Sequence, residues 1–138
     1  MGEPRHRVLI IDDEELLIRS FARILGRDHD ITALSSATEA LRQAAAGESW
    51  DVILCDLQMP VVDGVEFFER LHRCRPDLAA RVAFVTGGAF TPRAQSFLER
   101  NTRPTAQKPV EPEGLRALVR QIAGAQHPVA TGCAVARG

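Results

Sequence analysis

Val8-Leu9-Ile10-Ile11-Asp12-Asp13 decides how the rest of the chain is read. Four apolar residues in a row, with no polar alternation, describe a strand buried on both faces. The run stops abruptly on two acids. The same design returns at Val52-Ile53-Leu54-Cys55, which stops at Asp56, and at Val82-Ala83-Phe84-Val85, which stops at Thr86. Ile31 to Leu34 and Thr105-Ala106-Gln107 are weaker strand candidates, the latter ending at Lys108-Pro109.

Helical patterns lie between the runs. Leu17, Phe21, Ile24 and Leu25 recur at helical spacing between Glu14 and about Gly26, and Gly suits a helix end. Ser36 or Thr38 caps a second helix carrying Ala40, Leu41 and Ala44 and ending near Gly47. Met59-Pro60 breaks the chain, Asp63-Gly64 turns it, and Val65, Phe68 and Leu71 mark a third helix. Pro76 separates that helix from the next strand. Thr91-Pro92 opens a fourth helix with Ala94, Phe97 and Leu98 inward, and Pro112 opens the last, with Leu115, Leu118, Val119 and Ile122 inward, stopping near Gly124. Five strand–helix units predict a doubly wound α/β domain with helices on both faces of a parallel sheet. We expect an N-terminal extension over 1–5, one domain over 6–124 and a flexible tail over 125–138. No internal repeat, low-complexity segment or second domain is visible.

Composition sets bounds on function. The 138 residues suffice for a core without disulfide or metal staples. Acids number 18 and bases 17, for a net charge of -1, which excludes a strongly basic nucleic-acid binder and an acidic disordered protein. The 17 bases are sixteen Arg and a single Lys, Lys108, and there is no Tyr. Cys55, Cys74 and Cys133 are odd in number and lack CxxC spacing, so neither a disulfide framework nor a zinc site is expected, and Cys55 reads as a small core residue. Reduced thiols fit the cytoplasm. No apolar stretch approaches the roughly 18 residues of a membrane span, and the N-terminus lacks a signal-peptide core.

In doubly wound sheets, ligands bind outside the carboxyl ends of the strands. Asp12, Asp13, Asp56, Thr86 and Lys108 all stand at such ends. Each alone has an ordinary explanation: Asp12 and Asp13 as helix caps, Glu14 and Glu15 favouring the positive end of the first helix, Asp63-Gly64 as a turn. Together they predict three carboxylates, a hydroxyl and an ammonium around one crevice. Clustered carboxylates raise one another's pKa, and a hard divalent cation such as Mg²⁺ relieves them. A central Asp beside such a cation can act as a nucleophile and carry an aspartyl phosphate, with Lys108 and Thr86 contacting the phosphoryl oxygens.

Ile11-Asp12-Asp13-Glu14, Cys55-Asp56-Leu57-Gln58-Met59-Pro60 with Asp63-Gly64, Val85-Thr86-Gly87 and Lys108-Pro109 together resemble the response-regulator receiver domain of two-component signalling, over roughly residues 6 to 124. The resemblance implies a flavodoxin-like (βα)5 fold with strand order 2-1-3-4-5. It implies Asp56 as phosphoacceptor, with phosphoryl arriving from a histidine kinase or phosphotransfer protein. It implies Mg²⁺ held by Asp13, Asp56 and the Gln58 carbonyl, with Asp12 acting largely through water. Thr86 and Lys108 match the switch hydroxyl and the phosphate-binding Lys, and the Lys108-Pro109 bond is often cis in the family.

The resemblance also implies a signalling switch rather than an enzyme. The output surface is the face made by the helix after strand four, strand five and the last helix. One position departs from the family. Where Tyr or Phe is usual, three residues before the Lys, stands Thr105; Phe90 is a candidate substitute. Gln58 and Gly88 occupy positions that tune dephosphorylation, and Gly88 offers the phosphoryl little shielding. The stretch from Phe84 to Pro92 resembles receivers of hybrid sensor kinases, and no DNA-binding region follows Gly124. A hybrid-kinase or stand-alone receiver is therefore expected, and a non-switching interaction platform is the alternative. A haloacid-dehalogenase-like phosphatase requires Asp-x-Asp after strand one and a cap insertion, and a dinucleotide binder requires Gly-x-Gly-x-x-Gly; both are missing.

Overall fold

The structure, a computed structural model of the chain, describes residues 4–88, 91–101 and 103–125. Its elements run β1 (Arg7–Ile11), α1 (Glu15–Leu25), β2 (Asp30–Leu34), α2 (Ala37–Ala45), β3 (Val52–Asp56), α3 (Gly64–Cys74), α4 (Pro76–Ala79), β4 (Val82–Thr86), α5 (Pro92–Arg100), β5 (Thr105–Gln107) and α6 (Pro112–Ala125). The five strands are all parallel in the order β2-β1-β3-β4-β5. The doubly wound sheet and its strand order are as expected. α6 includes Ala125, which the sequence reading had placed in the tail; residues 126–138, and the candidate Phe90, lie outside the described residues.

The pattern of apolar runs explains the layout. β3 and β4 are buried at every residue, and β1 at all but Arg7. The edge strands β2 and β5 are short or partly exposed, which is why their apolar signal is weak. Successive residues face opposite sides of the sheet. Leu9, Ile11, Ile53, Cys55, Val82 and Phe84 face one core, shared with α2, α3, α4 and α5. Val8, Ile10, Val52, Leu54, Ala83 and Val85 face the other, closed by α1 and α6. A one-residue slip in any central strand would exchange its two faces. Phe68, Phe84 and Phe97 tie α3 and α5 to β4, with ring centroids 5.4 to 6.0 Å apart.

Three helix starts are capped by side chains, of which Ser36 is one of the two candidates named for α2 from the sequence. Ser36 accepts from the Glu39 N–H, Asp63 from that of Glu66 and Thr91 from that of Ala94. The single turn α4 was not expected. Pro76 opens it rather than merely ending α3, and Arg75 braces it, donating to Asp77 and to the carbonyls of Ala44 and Glu48. Leu78 and Ala79 are buried by it.

One close approach fixes the site's geometry. α3 begins directly against the end of β3: Gly64 donates its N–H to the Leu57 carbonyl at 2.9 Å. A Cβ on Gly64 would lie 2.5 Å from the Asp56 carbonyl oxygen and 2.7 Å from Leu57 Cα. Backbone cannot yield as a side-chain end can. Gly64→Ala is therefore expected to lower unfolding stability by about 1–3 kcal/mol. Gly124→Ala, in α6 with nothing within 4 Å of its added Cβ, should be neutral or stabilising by up to about 1 kcal/mol. Urea unfolding of the two variants checks the pair; equal effects would show that the α3–β3 approach is slack.

Candidate functional site

The carboxyl ends of β1, β3 and β4 and the residue after β5 meet at one edge of the sheet. The parallel register makes this so: Ile11 pairs with Cys55, Asp56 with Val85, and Thr86 with Gln107. Asp12 and Asp56, one step beyond the first pair, therefore stand side by side, and Thr86 follows Val85 at the end of the next strand. Asp12, Asp56 and Thr86 are buried there, at 2%, 6% and 1% exposure, among apolar strand residues. Asp13 is exposed. One oxygen from each of Asp12, Asp13 and Asp56 can be chosen so that all three lie within 4.8 Å of one another.

Lys108 reaches back over this cluster. Its Nζ donates to Asp12 Oδ2 at 3.0 Å and to Glu14 Oε1 at 3.2 Å, and stands 3.6 Å from Asp56 Oδ2. Its backbone N–H donates to the Thr86 carbonyl at 2.7 Å, which joins the lysine to the end of β4. The Lys108-Pro109 bond is cis. Asp12 Oδ1 accepts the Glu14 N–H at 2.9 Å, and Asp56 Oδ1 accepts the Gln58 N–H at 3.3 Å. Asp13, Glu14, Asp56, Gln58, Gly87 and Lys108 line an open pocket of about 430 Å³.

The electrostatics follow from burial and crowding. Burial pushes the Asp56 carboxyl up to about 6; the charge of Asp12 adds to this, and Lys108 and the Gln58 N–H oppose it. Burial alone would lower the Lys108 ammonium, but the hydrogen bond to Asp12 and the charges of Asp56 and Asp12 outweigh it and raise it. One lysine thus offsets part of the charge of several acids, and an excess of negative charge remains. The Thr86 hydroxyl is buried with no hydrogen-bond partner among the described residues. An all-oxygen, carboxylate-rich cluster at a pocket suits a hard divalent cation. The orphaned hydroxyl and the ammonium suit an anionic oxygen placed beside Asp56.

Of the six residues named from the sequence, Asp12, Asp13, Asp56, Gln58 and Lys108 meet at this edge, and Thr86, at the end of β4, is joined to Lys108 through its carbonyl. Asp63, read from the sequence as part of a turn, caps α3 and is also held by Arg93 from α5 at 3.1 Å. Thr105 points outward, exposed, its hydroxyl donating to the Arg103 carbonyl at 3.1 Å. Glu14 is the site residue that sequence reasoning left to the helix end; its position beside the acidic pair was the available signal. Gly88, at φ +99°, lies against the Gln107 side chain, which fills the space a Cβ would need.

The family model described as response regulator receiver domain matches residues 8–120. This chain belongs to that family. The receiver domain is thus a module of two-component signalling, a family whose members interact with histidine kinases or phosphotransfer proteins. Among curated relatives, a protein-glutamate methylesterase/protein-glutamine glutaminase from Methylobacillus flagellatus is 34% identical over 95 residues, 66% of this chain and 27% of that protein. One from Xanthomonas campestris pv. campestris is 37% identical over 82 residues, 58% of this chain and 23% of that protein. The chain thus spans about a quarter of the length of these relatives. A solved CheY-like response regulator receiver domain protein from Methanospirillum hungatei superposes with a TM-score of 0.76 at 25% identity, covering 90% of this chain and 97% of that one. A receiver domain from Clostridium thermocellum gives 0.75 at 24%, covering 87% and 95%. Among the described residues, no helix of this receiver is long and apolar enough to cross a membrane.

The raised Asp56 carboxyl has a stability consequence with a definite sign. The unfolded side chain releases its proton near pH 4 and the folded one near 6. Between these values the folded state binds more protons, so this group's contribution makes stability fall as pH rises, and the deficit persists above 6. In metal-free buffer, Asp56→Asn should raise stability at pH 7–8 by about 1–3 kcal/mol, and the gain should fade below about pH 4. Thermal unfolding across pH reads this; a gain of equal size at pH 3.5 and 7.5 contradicts it.

Proposed function

We propose that this receiver accepts a phosphoryl group on Asp56 from a phosphohistidine and works as a phosphorylation-controlled switch. The observation that carries the reading is the meeting of Asp56 with Lys108, 3.6 Å away; at the end of the neighbouring strand the Thr86 hydroxyl is buried without a partner among the described residues. The acceptor carboxylate lies in a pocket open to a donor. At neutral pH a carboxyl titrating near 6 is mainly ionised and so nucleophilic. A carboxylate oxygen forms the O–P bond as the N–P bond of the donor breaks, and the electron pair leaves with the imidazole nitrogen, which takes up a proton. The new phosphoryl oxygens then offer Lys108 a stronger partner than Asp56, and they give the Thr86 hydroxyl an acceptor.

Asp13, Asp56 and the Gln58 carbonyl would hold Mg²⁺, with Asp12 acting through water; bound there, the ion supplies charge neutralisation for the transferred group. The crowding that raises Asp56 supports this assignment. Asp12 has a second duty, since its two oxygens already hold Lys108 and the Glu14 N–H.

The face made by α5, β5 and α6 changes its partners on phosphorylation. α5 starts just beyond the Thr86-Gly87-Gly88 turn, which supports this placing. We place the receiver in the cytoplasm, as a hybrid-kinase or stand-alone receiver without a nucleic-acid output; the net charge of -1 supports the last point. The esterase and glutaminase activities in the names of its relatives are not carried over, because the similarity spans only about a quarter of them. An interaction platform that does not switch is the second reading, and Thr105 favours it, being exposed and carrying no ring.

Acetyl phosphate and Mg²⁺ should add one phosphoryl group, labile to hydroxylamine, and Asp56→Asn should take up none by intact mass. Equal uptake by both proteins would remove Asp56 as the acceptor. Lys108→Arg should still be modified yet bind partners like the unphosphorylated protein, because a planar guanidinium cannot occupy the ammonium's compact site. Partner affinity of the native chain that ignores phosphorylation would establish the platform reading instead.

A further inference from the structure

Lys108 divides its bonds unequally. Two of its three N–H donors go to Asp12 and Glu14, while Asp56 Oδ2, at 3.6 Å, stands beyond hydrogen-bond length. The two partners differ in kind. The Asp12 side chain is 2% exposed and also holds the Glu14 N–H, so it is a fixed anchor. The Glu14 side chain is 63% exposed, an acceptor that holds loosely and can let go.

A second observation singles out Glu14. It is the N-cap of α1, yet its side chain makes no cap hydrogen bond, whereas Ser36, Asp63 and Thr91 cap α2, α3 and α5. Its carboxylate is committed to the lysine instead. The Asp12 Oδ1 bond to the Glu14 N–H holds that backbone in place, so the side chain is aimed across the pocket mouth at Lys108. Glu15, one residue on, lies in the first turn of α1 with no hydrogen bond or ion pair to Lys108.

We propose that Glu14 is a positioning residue that parks the Lys108 ammonium on the α1 side of the pocket until a phosphoryl group on Asp56 draws it across. The proposal rests on the phosphoacceptor reading. Glu14 competes with the phosphoryl for the position of the ammonium, so it sets how readily the switch is thrown, and phosphorylation releases its carboxylate at the start of α1.

Lys108 is the single lysine of the chain, so lysine labelled with ¹³C and ¹⁵N in the side chain yields one set of resonances. Relative to the native protein, Glu14→Gln and Glu14→Asp should both shift the Lys108 side-chain resonances, and Glu15→Gln should leave them in place. Both Glu14 variants should also take up phosphoryl from acetyl phosphate about two- to fivefold faster, the range expected for loss of an exposed ion pair. The Asp variant keeps the charge but is one methylene short. If it matches the native rate while Glu14→Gln is faster, Glu14 merely repels an anionic donor and the parking role is wrong. Lys108 resonances unmoved by Glu14→Gln also overturn it. A native protein that takes up no phosphoryl overturns the acceptor reading, and the resonance comparison then still decides whether Glu14 holds the lysine.

Discussion

Three carboxylates held together at one buried edge, against their mutual repulsion, are the constraint on which the rest of this receiver depends. Asp12 and Asp56 stand among apolar strand residues, with only the exposed Asp13 in easy reach of water. Such a cluster persists only if the fold holds it rigidly and something positive answers it. The sheet does the first and Lys108 the second. Lys108 answers incompletely: burial, with the charge of Asp12 added, carries the Asp56 carboxyl up to about 6 even with an ammonium beside it. The residual charge makes the edge receptive to a cation, and the orphaned Thr86 hydroxyl makes it receptive to an anion. Under the proposed function, that imbalance in the resting state is what would let one edge take both a metal ion and a phosphoryl group.

Rigidity comes from central strands that, Arg7 apart, are apolar until they reach Asp12, Asp56 and Thr86. β1, β3 and β4 interlock two cores, so a one-residue slip of any one of them would turn its side chains to the wrong core. The register therefore fixes the spacing of Asp12, Asp56 and Thr86. Gly64 adds a second restraint by bringing the start of α3 onto the backbone of Asp56 and Leu57. Side chains at the ends of central strands are more tightly placed than side chains on loops, and the charged cluster uses that placement.

How much of this was legible in the sequence depended on the range of the interaction. Unbroken apolar runs ending in Asp12, Asp56 and Thr86 announce central strands and a polar edge, because burial on both faces leaves no room for alternation. Thr91-Pro92 and Asp63-Gly64 announce helix starts, because capping is local. α4 stayed hidden because its bracing comes from Arg75 gripping carbonyls of Ala44 and Glu48, some thirty residues away in sequence. The bond from Glu14 to Lys108 crosses 94 positions, and no local pattern encodes it. The packing of Gln107 against Gly88 is equally non-local: a glycine in a loop reads as flexibility, while its neighbour across the β4–β5 edge uses the vacant Cβ position.

Thr105 shows what the site requires of the surface. No ring stands on β5 to move inward when Thr86 shifts, and the Thr105 hydroxyl is satisfied locally by Arg103. Under the proposed function, a displacement of Thr86 has a main-chain route among the described residues. Its carbonyl is held by the Lys108 N–H at 2.7 Å, and the next residues, Gly87 and Gly88, lead toward α5. Gln107, paired with Thr86 across the β4–β5 edge, has its side chain on Gly88. The hydroxyl that would meet the phosphoryl and the ammonium that would bind it are thus joined through one inter-strand hydrogen bond. Movement of either strains the same β4–β5 edge. On the proposed switch reading, this main-chain edge is a path from site to surface that does not require a ring at position 105.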